Sequence, residues 1–90
     1  MIIFLQFPHY LILPNPFASQ FNIWHLQQPT NLKYAVVYNS IGQVIWKQEY
    51  NSDAQKFITV DMSRQAAGVY IVNLGYADKS KNVRIKVIKF

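Results

Sequence analysis

The sequence predicts an all-β protein, a small antiparallel β-sandwich of about six to seven strands. Apolar residues recur with a period of two in six stretches, turn-forming residues stand between these stretches, and no stretch has the period of an amphipathic helix. The chain has 90 residues, of which 51% are hydrophobic and 14% are charged. This length and composition provide one hydrophobic core and exclude a disordered protein.

Each of the six stretches carries an apolar set that alternates with residues of the opposite face. In chain order the sets are Phe21 and Ile23; Ala35 and Val37; Val44 and Trp46; Ile58, Val60 and Met62; Tyr70, Val72 and Leu74; and Val83, Ile85 and Val87. Alternation of this kind indicates strands with one face on a core. We therefore expect six strands in one domain.

The turns between the predicted strands carry their own local chemistry. We expect Asn39 to accept a hydrogen bond from the backbone two residues on, and Gly42 to take a left-handed conformation in the same hairpin. Asp61 lies near the end of the predicted strand that contains Ile58, Val60 and Met62. Ser63 is expected to cap one short helical turn after it. Gly68 is expected to close that turn in a left-handed conformation.

The beginning of the chain differs from the rest in charge, because residues 1–32 contain no Asp, Glu, Lys or Arg. Residues 1–12 form an apolar segment that we interpret as the end of an upstream linker or an extra strand, and residues 13–90 as the sandwich domain. A membrane-spanning helix needs about 20 apolar residues, more than this run supplies. No basic residue precedes it, so we expect no signal peptide there.

The last predicted strand is basic. After Asp78 the chain has five positive charges and no acid, namely Lys79, Lys81, Arg84, Lys86 and Lys89. Two interpretations stay open: a solvated lysine edge that prevents edge-to-edge aggregation, or a surface that binds anions.

Residue types used in catalysis and metal binding are present, but not in the patterns that those functions need. His9 and His25 have no second ligand at metal-binding spacing, and four scattered acids do not make a calcium site. Asp53 and Asp61 occupy turn positions, where aspartate bonds the local backbone. The chain has no cysteine, which excludes a thiol nucleophile and disulfides. The sequence therefore predicts a protein that is not an enzyme and has no metal and no cofactor.

Six short motifs follow one another along residues 13–90. They are Pro14-Asn15-Pro16-Phe17, Phe21-Asn22-Ile23, the turn from Tyr38-Asn39 to Gly42, Val60-Asp61-Met62-Ser63, Gly68-Val69-Tyr70, and the lysine-containing Ile85–Lys89. Each motif is weak alone, but the ordered set resembles the C-terminal sorting domain, type A, of cargo proteins of the type IX (Por) secretion system.

The resemblance implies an immunoglobulin-like sandwich that serves as a secretion address and has no catalytic role. In this family, which occurs in Bacteroidetes, the cargo crosses the periplasm and an outer-membrane translocon recognises the domain. A sorting peptidase then removes the domain, and the cargo is released or attached to the cell surface. The implied partners are the translocon, the sorting peptidase and a fused cargo domain.

The resemblance also implies which residues form the sorting motif. They are Pro14, Asn15 and Pro16 in a stiff opening turn, Asn39 and Gly42 in the central hairpin, Asp61, Gly68 and Tyr70 in a corner, and Lys86 and Lys89 as translocon contacts. Asn15 is expected to bond locally. By analogy with the tyrosine corner of immunoglobulin-like sandwiches, the Tyr70 hydroxyl is expected to bond the backbone between Asp61 and Arg64.

Two functions of other classes stay open. One is an immunoglobulin-like adhesion or carbohydrate-binding sandwich, in which an exposed Trp24 or Trp46 would stack on a sugar. The other is a single-strand nucleic-acid module, in which the basic tail would contact phosphates and several strand aromatics would stack on bases. Because packing explains aromatics in strand patterns, we expect no nucleic-acid partner.

Overall fold

Residues 9–90 are described by the computed structural model as seven β-strands in two antiparallel sheets. The strands are β1 (Tyr10–Leu13), β2 (Gln20–His25), β3 (Leu32–Tyr38), β4 (Val44–Glu49), β5 (Phe57–Asp61), β6 (Gly68–Tyr76) and β7 (Val83–Lys89). The predicted all-β sandwich is confirmed, and the six predicted strands correspond to β2–β7. Of the apolar segment 1–12, residues 1–8 lie outside the described part, and Tyr10–Ile12 belong to β1.

The strand order is β1-β2-β5 in a three-stranded sheet and β4-β3-β6-β7 in a four-stranded sheet. A single 3-10 turn, Lys79–Lys81, lies in the connection between β6 and β7, where Asp78 caps it. Within residues 9–90 there is no helix with the length and apolarity that crossing a bilayer requires.

The core lies between the two sheets and is made by alternate residues of the strands, as period-two alternation predicts. Its fully buried members include Phe21, Ile23 and Val60 from the three-stranded sheet and Ala35, Val37, Val72, Leu74 and Val87 from the four-stranded sheet. Phe17 and Met62, which lie in connections between strands, complete it. The pattern read from the sequence thus identifies most of the core.

Strand β4 departs from the predicted alternation. Val37 pairs with Trp46, but the next residue of β3, Tyr38, pairs with Val44, so Ile45 is an extra residue in a β-bulge. Ile45 and Trp46 both pack partly against the core, whereas Val44 is 54% exposed. The prediction that Val44 and Trp46 share a face was wrong, because the bulge changes the alternation between them.

The connection between β5 and β6 also differs from its prediction. Ser63 does not cap a helix; its backbone N–H donates to Oδ1 of Asp61 at 2.9 Å. The N–H of Gln65 donates to the carbonyl of Met62 at 3.0 Å, which closes a single turn. The aspartate therefore organises this corner, because its side chain reaches the first free amide after the strand.

A buried polar pair lies at the end of the sandwich where β2 and β6 terminate. Nε2 of His25 lies 2.6 Å from the hydroxyl oxygen of Tyr76, and the ring of His9 packs edge-on against Tyr76 with centroids 4.8 Å apart. Burial lowers the pKa of His25, the nearby His9 lowers it further, and Asp53 opposes the shift. His25 is therefore neutral in the folded protein at neutral pH.

We predict that the free energy of unfolding falls as the pH is lowered through the ordinary histidine pKa of 6.5. The unfolded chain takes up a proton on His25 at a pH where the folded protein does not, so acid favours unfolding. Urea titrations from about pH 7.5 to about pH 5 measure this slope. The His25→Phe variant is expected to lose most of the slope, whatever its absolute stability.

The aspartates contribute in a separate pH range. The backbone N–H of Ser63 and its hydroxyl hold the pKa of Asp61 below its ordinary value of 3.8, so its contribution to stability disappears only as the pH falls below that value.

A wild-type stability that does not change between about pH 7.5 and about pH 5 would contradict the role given to His25.

Candidate recognition site

The predicted motif residues gather at one end of the sandwich, which we call the motif end. It consists of the β1–β2 connection (14–19), the β3–β4 turn (39–43), the β5–β6 corner (62–67) and residues 89 and 90 after the last pairs of β7. Strand pairing places these segments together, because Gln20 pairs with Asp61, and Lys89 is paired both with Gly68 and with Phe17. Tyr70 and Lys86 lie further inside their strands.

Asn15 joins the first connection to the last strand. Its Nδ2 donates to the carbonyl of Lys86 at 3.2 Å, and its Oδ1 accepts from the N–H of Ile88 at 3.0 Å. The side-chain amide therefore occupies the place of a backbone peptide beside β7. The expectation that Asn15 bonds locally was wrong, since its partners lie 71 and 73 residues away.

Phe17 continues the same contact through its backbone. Its N–H donates to the carbonyl of Ile88 at 2.9 Å, and its carbonyl accepts from the N–H of Phe90 at 3.0 Å. The Phe17 ring is fully buried and packs edge-on against Phe21 with centroids 5.0 Å apart. Sequence reasoning quoted Phe17 within its motif but did not select it as a site residue, although an aromatic directly after the Pro14-Asn15-Pro16 turn was the available signal.

Together Asn15 and Phe17 cover the outer edge of β7. Residues 86, 88 and 90 turn their backbone groups outward, and these are the residues that Asn15 and Phe17 bond. Pro14 and Pro16 have no N–H to donate, so the asparagine side chain supplies the donor that the backbone lacks there. An edge strand covered in this way offers fewer free groups to another chain.

The β3–β4 turn is organised by Asn39. Its Oδ1 accepts from the N–H of Ile41 at 3.2 Å and from the N–H of Gln43 at 2.9 Å. Gly42 has a φ of +86°, in the left-handed region that favours glycine. The predictions for both residues of this turn are confirmed as local structure.

The Tyr70 hydroxyl donates to the backbone carbonyl of Ala66. The prediction of a tyrosine corner is therefore right in kind, but the acceptor lies outside the expected range from Asp61 to Arg64. Asp61 accepts a hydrogen bond from the N–H of Ser63, which turns the chain directly after β5. As a result, the carbonyl that lies next to the Tyr70 hydroxyl is that of Ala66. Gly68, at a φ of +152°, then begins β6.

The turn and the corner lie side by side. Residues 39–41 and 65–70 together line a surface depression of about 300 Å³. Three of the predicted motif residues, Asn39, Gly68 and Tyr70, are thus neighbours although the sequence separates them. The residues that line this depression include no acid and no histidine.

The two lysines of the predicted motif differ in exposure. Lys86 is exposed on the outer face of the four-stranded sheet, and Lys89 is half-buried beside Phe17. Lys86 is therefore the better placed of the two for contact with another protein.

The remaining polar groups that sequence reasoning considered for catalysis have structural partners. Oδ1 of Asp53 accepts from the N–H and hydroxyl of Thr30, both at 2.9 Å, and from the N–H of Asn31 at 3.1 Å. Burial acts to raise the pKa of Asp53, but the bonds from Thr30 and Asn31 outweigh it and hold the pKa low. Among residues 9–90, no three histidine or acidic side chains come together as a metal site.

The two tryptophans have different environments. Trp46 packs partly against the core, whereas Trp24 is 46% exposed on the outer face of the three-stranded sheet. Strand register places Trp24 in one row between Leu11 and Phe57, with the Trp24 and Phe57 rings edge-on at 6.1 Å. This row is an exposed apolar surface on the face opposite to that of Lys86.

Comparison with known families gives one informative result. The family described as "Secretion system C-terminal sorting domain" matches residues 11–89. A comparison with curated proteins finds no match. The matched range begins in β1 and ends with β7, so it covers nearly the whole sandwich.

We predict that Asn15→Ala lowers the free energy of unfolding by about 1–2 kcal/mol, because it removes two hydrogen bonds to β7. Asn22→Ala is the matched control: its Oδ1 accepts a single bond, from the exposed Thr59 hydroxyl at 2.8 Å. Urea unfolding of both variants measures the difference. An Asn15→Ala variant no less stable than Asn22→Ala would contradict the structural role of Asn15.

Proposed function

The chain belongs to the secretion system C-terminal sorting domain family, and on that premise we propose that it directs an attached cargo across the outer membrane through the type IX secretion system. The family is one of sorting signals and not of enzymes, and it implies export to the cell surface or the medium. The domain would act as a ligand that the secretion machinery recognises.

The observation that carries this proposal is the extent of the family match, from residue 11 to residue 89. It includes both the Pro14–Phe17 segment and the strand that this segment bonds. A match to an isolated turn would support a shared local structure only, whereas this range includes every connection of the motif end. The geometry therefore favours recognition of the folded domain over recognition of a short linear peptide.

We propose that the translocon contacts the motif end and the adjoining part of β7. Lys86 is exposed on this strand, and residues of the β3–β4 turn line a pocket together with Arg84 of the same strand. The domain would pass through the periplasm in folded form, and a sorting peptidase would then separate it from the cargo. Pro14, Asn15 and Pro16 would serve recognition indirectly, by holding β7 in place.

The test is a fusion of residues 1–90 behind a cleavable export signal and a fluorescent reporter, expressed in a bacterium with a type IX system. We expect the reporter at the cell surface or in the medium, because the domain supplies the address. The control is the same exported reporter without residues 1–90, which is expected to stay in the periplasm. Cell fractionation and reporter fluorescence measure the distribution.

A strain that lacks the translocon separates this route from leakage. The fusion should then accumulate in the periplasm in folded form. Retention of a folded fusion in the periplasm of the competent strain would instead show that the domain is not a working address there.

A second candidate function is favoured by the exposed row of Leu11, Trp24 and Phe57. Trp24 is 46% exposed and Phe57 is 51% exposed, and an exposed aromatic ring can stack on a sugar ring. Under this alternative the sandwich is an adhesion or carbohydrate-binding module.

For the carbohydrate alternative, Trp24→Ala is expected to abolish binding of the full chain to a polysaccharide that the wild type binds. Ile41→Ala is the control, since Ile41 is also an exposed apolar residue but lies in the β3–β4 turn. Affinity electrophoresis in gels containing polysaccharides measures the retardation. Equal migration of wild type and Trp24→Ala in every gel would exclude this function.

A further inference from the structure

The outer face of the four-stranded sheet combines positive charge with apolar side chains. Strand register places its residues in two rows across β4, β3, β6 and β7. The rows are Lys47, Val36, Asn73 and Arg84, and Val44, Tyr38, Ile71 and Lys86. We call the surface formed by these eight residues the cationic face.

Arg84 and Lys86 are the uncompensated charges of this face. Within residues 9–90 the single salt bridge is Lys47–Glu49, at 3.1 Å. Glu49 therefore neutralises Lys47, the cation that β4 contributes to the face. The other acids lie outside this face: Asp53 and Asp78 are in connections, and Asp61 ends β5 in the other sheet. As i and i+2 residues of one strand, Arg84 and Lys86 project on the same side about 7 Å apart.

A pocket of about 330 Å³ opens beside Arg84. Tyr38, Ile71 and Asn73 line it together with the β3–β4 turn. Within the described residues, Oδ1 of Asn73 is buried and has no hydrogen-bond partner. The pocket thus offers the guanidinium of Arg84, which suits a carboxylate because the two form charge-assisted hydrogen bonds.

Apolar side chains extend the face on both sides of the pocket. Val44, Val69 and Ile88 are exposed on the outer side of their strands. Exposed apolar side chains bordered by charges are typical of protein–protein interfaces, where the charges select the partner. A nucleic acid would need a row of free aromatic rings, but Tyr38 is half-buried in the pocket and Gly75 covers one side of the Tyr34 ring.

We propose that the cationic face docks an acidic segment of a partner protein, with Arg84 binding a carboxylate at the pocket and Lys86 binding a second one. Charge complementarity identifies the partner's chemistry: acidic side chains that flank apolar ones. The inference rests on the proposed function, because the partner is the component of the secretion machinery that recognises the domain.

The test uses the reporter fusion of residues 1–90 in the secretion-competent strain. The double variant Arg84→Glu and Lys86→Glu is expected to lower export by about tenfold or more, since like charges then face the acidic partner. The matched control is Lys79→Glu with Lys81→Glu, which makes the same charge change in the β6–β7 connection, outside the cationic face. The control is expected to be exported as the wild type is.

Thermal unfolding of the purified domains shows whether each variant folds. If the charge-reversed variant does not fold, the double variant Arg84→Gln and Lys86→Gln is tested instead. It is also expected to lower export. Export of a folded variant at the wild-type level would overturn this inference and leave the proposed function standing. Failure of the wild-type fusion to be exported would overturn both.

A binding measurement distinguishes a nucleic-acid partner. The purified chain is titrated with a fluorescent single-stranded oligonucleotide at about physiological ionic strength. We expect no binding that depends on Arg84. Tight binding that Arg84→Gln removes would overturn the proposal in favour of a nucleic-acid surface.

Discussion

The rest of the structure depends on the hydrogen bonds between the Pro14–Phe17 segment and β7. The prolines cannot donate, and the Asn15 side chain and the Phe17 backbone make the hydrogen bonds of this segment to the edge of the four-stranded sheet. Since the segment also leads from β1 into β2, it connects the two sheets at the motif end. The buried Phe17 ring fixes its position, and the surface features of this end follow from that docking.

A second organising feature is the distribution of acidic side chains. Asp53, Asp61 and Asp78 each accept hydrogen bonds from nearby amides or hydroxyls, so they shape connections between strands. Their negative charge is therefore kept away from the outer face of β6 and β7. The positive charge of Arg84 and Lys86 is consequently concentrated on one face, although the net charge of the chain is only +5.

Sequence reasoning succeeded where the deciding interactions are local and failed where they are not. Period-two alternation indicated six of the seven strands and most of the core, because side-chain direction alternates residue by residue. Asn39 was placed correctly because its partners lie two and four residues away. Asn15 was not, because its partners lie in β7, and the contact between His25 and Tyr76 spans 51 residues. Nor does alternation reveal the bulge in β4, which depends on the register with β3.

The contact of Asn15 with β7 also bears on the order of events during synthesis. Its partners, Lys86 and Ile88, belong to the last strand of the described chain, so the first connection must wait for nearly all of the domain to be made. A chain interrupted before β7 has neither the completed edge nor the covered Phe17. The covered edge of β7 therefore forms only after nearly the whole domain has been synthesised.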